Sequence, residues 1–129
     1  MFFVFIQLFS CTGSRRFNAE DLLMEMEKTP CYGQCPVYTI QVDSRGNGRF
    51  NGVENTQYTG IYAFRLGKTE MEQLRSSFEK AGFFGLNDKY FEFVSDLPTT
   101  YLSYRQGGRS KKIMDYYGAP QELKDLEKT

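Results

Sequence analysis

Hydrophobic and polar residues follow two rhythms along this chain. Over residues 21–28, Leu22, Met24 and Met26 alternate with Leu23, Glu25 and Glu27. A period of two predicts a strand with one buried face. Leu, Met and Glu also favour helix, so a short helix is the alternative; Pro30 ends the element in either case. Residues 37–43 alternate again, with Tyr38, Ile40 and Val42 against Val37, Thr39 and Gln41. The run Ser44, Arg45, Gly46, Asn47, Gly48 is a turn signal, and residues 49–53 return, so 37–53 read as a β-hairpin. A third strand is expected over 57–65, carrying Tyr58, Ile61, Tyr62 and Phe64, with Gly60 marking a bulge.

The rhythm then changes. Met71, Leu74, Ser77, Phe78 and Ala81 recur at helical spacing, which predicts an amphipathic helix over 69–81. Thr69 with Glu72 three residues on reads as a capping box, and Gly82 as the helix stop. Glu70, Gln73, Arg75 and Lys80 form its solvated face. Residues 82–94 are aromatic and irregular, a connection folded onto the edge of the core. Strand alternation resumes over 100–105, turns at Gln106, Gly107 and Gly108, and returns over 109–116. There Lys111, Ile113 and Asp115 alternate with Lys112 and Met114. Pro120 suits the first turn of a short final helix carrying Glu122, Leu123, Leu126 and Glu127. The fold class is therefore α+β: a small antiparallel sheet built from two β-hairpins, one main helix packed on a face, and a short C-terminal helix.

The first ten residues belong to neither rhythm. Residues 1–10 are apolar apart from Gln7, and they end at Ser10 and Cys11 before the polar run Thr12, Gly13, Ser14, Arg15 and Arg16. Ten residues are too few to span a bilayer and suit the apolar region of a signal peptide. A small residue before a cysteine resembles a lipoprotein cleavage site, which makes Cys11 the lipidation site. On this reading 1–10 is signal peptide, 11–20 a polar tether and 21–129 a single domain. The protein is then exported and held in the periplasm or at the outer membrane, with the bilayer as a partner through the lipid on Cys11. The alternative is a buried N-terminal strand with Cys11 as an ordinary core thiol. Phe9 and the lack of an early Lys or Arg count against the leader.

Composition narrows the chemistry. The 129 residues suit one domain with a real core. Sixteen Lys and Arg balance sixteen Asp and Glu, which lacks the basic footprint of a nucleic-acid binder. The chain contains no histidine. A Ser-His-Asp triad, a Cys-His pair and His-based metal sites are thereby excluded. No cofactor and no metal are expected.

The densest chemistry lies in Thr29, Pro30, Cys31, Tyr32, Gly33, Gln34, Cys35, Pro36, Val37 and Tyr38. A Cys31–Cys35 disulfide fits an exported chain best; free thiols, or redox or metal chemistry, are the alternatives. Asp96 before Leu97 and Pro98 reads as turn chemistry, or else as an acid-base partner for Asp115. Arg105, Arg109, Lys111 and Lys112 read as a solvated hairpin edge or an anion patch. Tyr101, Tyr104, Tyr116 and Tyr117 are half-buried core or the rim of a glycan or peptide site.

The cysteine loop, the turn from Asp43 to Gly48, the run Asp96, Leu97, Pro98, Thr99, Thr100, and the segment Lys112 to Tyr116 with Gly118, Ala119 and Pro120 together resemble the bacterial DUF6438 family, a domain of unknown function. The resemblance covers about residues 22–127. It implies exported proteins and lipoproteins of Bacteroidetes-type bacteria and brings no activity. The expectation is a non-enzymatic envelope binding module for an unknown envelope protein, peptide or glycan. Its surface is placed on Tyr32, Tyr38, Asp96, Tyr101, Tyr104, Lys112, Asp115 and Tyr116. A small enzyme or enzyme inhibitor using carboxylates or the cysteine loop is the alternative.

Overall fold

The computed structural model describes residues 16–128. The expected signal peptide and Cys11 lie outside them. In chain order the elements are β1 (Leu22–Lys28), β2 (Val37–Asp43), β3 (Asn47–Glu54), β4 (Gly60–Arg65), α1 (Lys68–Ala81), β5 (Lys89–Tyr90), β6 (Thr100–Gln106), β7 (Arg109–Asp115) and α2 (Gln121–Glu127). The fold is α+β, but the sheet is larger than two hairpins. Seven strands run in the order β4-β3-β2-β1-β6-β7-β5. All neighbours are antiparallel except β5, which runs parallel to β7. The lead-in strand β1 sits between the hairpins and fuses them, pairing with β2 on one side and β6 on the other.

Period-two alternation gives the sheet two unlike faces. On one face, cross-strand register builds three rows. The first runs Phe64, Gly48, Val42, Met24, Tyr104, Lys111. The second runs Tyr62, Phe50, Ile40, Met26, Leu102, Ile113. The third runs Gly60, Gly52, Tyr38, Lys28, Thr100, Asp115. Both helices cover this face; Met71, Phe78, Leu123 and Leu126 join its apolar residues in one core. Phe78 lies flat on Tyr104 with ring centres 3.9 Å apart, and Phe83 meets the Phe78 ring edge-on at 5.2 Å. The other face carries Arg49, Gln41, Glu25, Ser103 and Lys112 in one row. Gln41 bridges it, donating to Glu25 at 2.6 Å and accepting from Arg49 at 2.9 Å.

Three helix ends differ from or match expectation for local reasons. β4 ends at Arg65, where the pattern puts it, and Leu66 donates its N–H to Gly46 in the β2–β3 turn at 2.8 Å. Gly67 then caps α1, Thr69 falls inside the first turn, and the Thr69–Glu72 capping box does not form. Pro120 likewise occupies the cap of α2 rather than its first turn. Gly82 closes α1 at φ 62°, as the glycine predicts. The expected irregular connection holds a short 3-10 turn, Phe83–Gly85, and the edge strand β5. The third strand is shorter than expected because Thr56 to Thr59 form a turn in which the Thr56 hydroxyl donates to the Tyr58 carbonyl at 2.6 Å.

The Asp43–Gly48 turn is built on a carboxylate. Asp43 is fully buried and accepts from the N–H groups of Arg45 and Asn47, each at 2.9 Å, and of Asn18 at 3.1 Å. Those bonds satisfy it, so Asp43 is structural. They also hold Asn18 to the sheet, and Arg49 stacks over Phe17; the last residues of the expected tether are therefore packed.

Cys31 and Cys35 are disulfide-bonded, with Cα atoms 5.8 Å apart. Closing so short a loop contributes on the order of 2 kcal/mol. Converting both cysteines to serine is expected to remove about that much, read as a lower urea midpoint with unchanged slope. Tyr32 at the loop tip is 89% exposed and contributes nothing to the core. The same substitution should leave the cleft described below intact.

Candidate functional site

The third row of the covered face is where the sheet stops being oily. Tyr38, Lys28, Thr100 and Asp115 stand side by side at one end of β2, β1, β6 and β7. All four are in phase with the core residues of their own strands: Tyr38 with Ile40 and Val42, Lys28 with Met24 and Met26, Thr100 with Leu102 and Tyr104, Asp115 with Ile113. A strand cannot turn one side chain away without breaking its alternation, so polar groups are carried onto the buried face. Helix α2 lies over them. Leu123 and Leu126 face the core, and Glu127, four residues after Leu123, shares that stripe.

A cleft of about 450 Å³ opens between these elements. Lys28, Asp115, Lys124 and Glu127 supply its charge. Leu97 and Pro98 from the loop before β6, and Tyr117 and Ala119 from the loop before α2, supply apolar wall. Inside it, the Lys124 ammonium donates to Asp115 Oδ2 at 2.5 Å and stands 4.0 Å from Glu127. The Asp115 side chain is 1% exposed and that of Glu127 5%. Asp115 Oδ1 and Glu127 Oε1 have no hydrogen-bond partner among the described residues. A buried carboxylate oxygen without a donor is costly, and protonating one of two neighbouring carboxyls lowers that cost. Burial, a hydrogen bond to Asp115 and the Asp115 charge together push the Glu127 carboxyl up to about 8, against the pull of Lys124 and Lys28. Burial and then Glu127 also push the Tyr38 phenol upward. Lys28 makes no ion pair or side-chain hydrogen bond among the described residues.

Holding that proton makes stability depend on pH. The folded value lies above the ordinary 4.5, so the folded chain binds more protons than the unfolded one between 4.5 and about 8. The contribution is complete below 4.5 and is lost as pH rises through about 8. Glu127→Gln keeps a neutral group there. It is expected to stabilise the protein by on the order of 1–2 kcal/mol at pH about 9, and by little at pH about 4, in paired urea titrations.

The expected binding surface is dispersed by the fold. Tyr104 is 2% exposed and stacked in the core; in-phase alternation with Leu102 decides its side. Tyr38 is packed against the core on the same grounds. Tyr101 and Lys112 lie on the open sheet face, where the Lys112 ammonium sits 5.1 Å from the Tyr101 ring centre. Tyr32 is solvated on the cysteine loop. Asp96 is exposed at φ 71°, a turn residue outside the cleft lining. The partner of Asp115 is Glu127, not Asp96. Tyr116 lines the cleft, stacks on Phe91 at 5.3 Å and donates its hydroxyl to the Val94 carbonyl. Of the surface expected from sequence, Asp115 and Tyr116 thus meet at the cleft, with Tyr38 beside them in the third row. Lys28, Lys124 and Glu127 were missed. Lys28 and Glu127 carried a signal: each is a charge in the buried phase of its element.

Lys111, expected on a solvated edge or an anion patch, is a bonding residue instead. It lies at the end of the first row, donates to the carbonyls of Phe84 and Leu86, and pairs with Asp88 at 3.4 Å. No group of His, Cys, Asp and Glu suited to a metal ion occurs among the described residues.

Residues 22–129 match the model of the domain of unknown function DUF6438, and the chain belongs to that family. No curated protein matches the chain.

Proposed function

Taking this member of the DUF6438 family as its starting point, we propose a non-enzymatic ligand-binding module of the bacterial cell envelope, with the α2 cleft as its binding site. Export and a lipid on Cys11 rest on the apolar run of residues 1–10 ending at Ser10 and Cys11. The partner is an envelope protein, peptide or glycan. The observation that carries the binding role is the make-up of the cleft: apolar wall above a charged floor whose carboxyls are more than nine-tenths buried. Recognition sites combine apolar lining with a few convergent polar groups in this way. The cysteine loop, solvated and clamped, is scaffold on this reading.

The test places a photo-crosslinking amino acid at Tyr117, on the cleft wall, and separately at Tyr32, in cells producing the full chain. A discrete adduct from Tyr117 and none from Tyr32 is the expected result, lost when Ala119→Trp fills the cleft. Adducts from Tyr32 alone would return the binding role to the cysteine loop. Mass spectrometry of the same material checks for a diacylglyceryl group on Cys11.

A second reading makes Glu127 a general acid beside Asp115. The raised Glu127 carboxyl favours it. Against it, both unpartnered oxygens are closed off from solvent beneath α2.

A further inference from the structure

The charges in the cleft do not balance when they are paired one by one. Lys124 and Asp115 form an ion pair. Burial and the neighbouring Asp115 raise the Glu127 carboxyl to about 8, which favours its neutral form at neutral pH. Lys28 remains, lining the cleft with no ion pair or side-chain hydrogen bond among the described residues. It cannot swing to the open face, because its strand pairs on both sides and fixes its phase. Lys28 is half-buried as a residue, and a cation that lines a cleft without an ion pair is available to a ligand's anion.

We propose that the cleft receives a ligand through a single carboxylate seated on Lys28, with the ligand's apolar body against Leu97, Pro98, Tyr117 and Ala119. The inference rests on the α2 cleft being the binding site. One uncompensated positive charge matches one negative charge. A phosphate monoester would bring nearly two and leave the excess beside Glu127 and Asp115. An amine would meet Lys28 and Lys124 as like charges. The wall gives the body of the ligand apolar surface to cover, so the anionic end and the apolar end are recognised by different elements.

The Glu127 proton is part of this seat. Glu127 is faced by Asp115 of β7, Lys28 of β1, Tyr38 of β2 and Lys124 of its own helix. Lys80 of α1 lines a separate gap with Glu122 and Asp125, and the exposed Glu92 stands at the rim beside Gly118. When Glu127 ionises, it takes up the Lys28 charge, and the cleft no longer favours an anion. Carboxylate binding therefore weakens as pH rises through the Glu127 titration.

The experiment uses N-acetylleucine and its uncharged amide, N-acetylleucinamide, titrated into the full chain and followed by amide chemical shifts. N-acetylleucine is expected to shift Lys28, Thr100 and the 116–119 loop, and to bind at least about tenfold more tightly than the amide at pH about 6.5. That preference should shrink at pH about 9.5 in the natural protein and persist there in Glu127→Gln, while Lys28→Gln removes it. The comparison of acid with amide needs no variant, so a misfolded Lys28→Gln would not decide the matter. Equal binding of acid and amide in the cleft overturns the carboxylate seat and leaves the cleft as a binding site. Shifts from neither compound overturn the seat and count against the cleft as well. An acid preference unchanged between the two pH values removes Glu127 from the seat and overturns the proposal as stated.

Discussion

Phe78→Ala is expected to cost about 3–5 kcal/mol, the range for emptying a buried aromatic site. Phe78 is 2% exposed and is the one α1 residue stacked on the sheet's own aromatic, Tyr104. It also meets Phe83 edge-on, so its ring joins α1, β6 and the 3-10 turn. The surroundings are poorly placed to close over the space left behind. A gap of about 150 Å³ already lies among Met24, Met26, Ile40, Leu74, Phe78 and Leu102, and truncation would enlarge it. In a domain of this size, a loss of that order lowers Tm by more than about 10 °C, which thermal unfolding reads directly. Tyr104→Phe is the control. The Tyr104 hydroxyl is buried with no partner, so deleting it is expected to be neutral or mildly stabilising. A large loss from Tyr104→Phe, with a small one from Phe78→Ala, would mean that the stack does not organise the core.

The same two residues show how far the sequence could be read. Phe78 is legible in isolation, because the helical spacing from Met71 to Ala81 places it on the buried stripe. Tyr104 is not. Its amphipathic side chain suits a rim as well as a core, and only the phase it shares with Leu102 decides between them. The hairpins are legible for the reason Phe78 is: turn residues and alternation are local. The sevenfold sheet is not, since the position of β1 between β2 and β6 depends on hydrogen bonds to strands far along the chain. β5 is two residues long and has no period to detect.

The cleft escaped for a different reason. Each of its charged residues has an ordinary local explanation: Lys28 ends a strand, Lys124 and Glu127 sit on a short polar helix, and Asp115 closes a hairpin. What marks Lys28, Asp115 and Glu127 is that each falls in the buried phase of its own element, after Met26, Ile113 and Leu123 respectively. A charge in the buried phase is usually a register error or a solvated end. Three of them, on elements that converge at one end of the sheet, line one cleft. Convergence is a property of the topology, which the sequence pattern does not contain. Asp96 drew attention instead because Asp before a Leu-Pro pair stands out locally, although its exposure and positive φ make it turn chemistry.

Lys124→Met is expected to be the most damaging change in the cleft. Its ammonium is the cation bonded to Asp115, at 2.5 Å, and Asp115 is 1% exposed. Removing one partner of a fully buried pair costs about 3–5 kcal/mol, because the other charge stays behind without compensation. Here the Lys124 side chain is 44% exposed, so solvent already screens part of the attraction, and about 2–3 kcal/mol is the expected loss near neutral pH. Met keeps most of the aliphatic stem, which separates the charge from the packing. One further measurement locates the cause. The deficit should largely disappear in the double variant Lys124→Met with Asp115→Asn, since a neutral amide leaves no charge stranded. A deficit that persists in the double variant would show that α2 is held by Leu123 and Leu126 with the Lys124 stem. The ion pair would then be an accessory to docking rather than its cause.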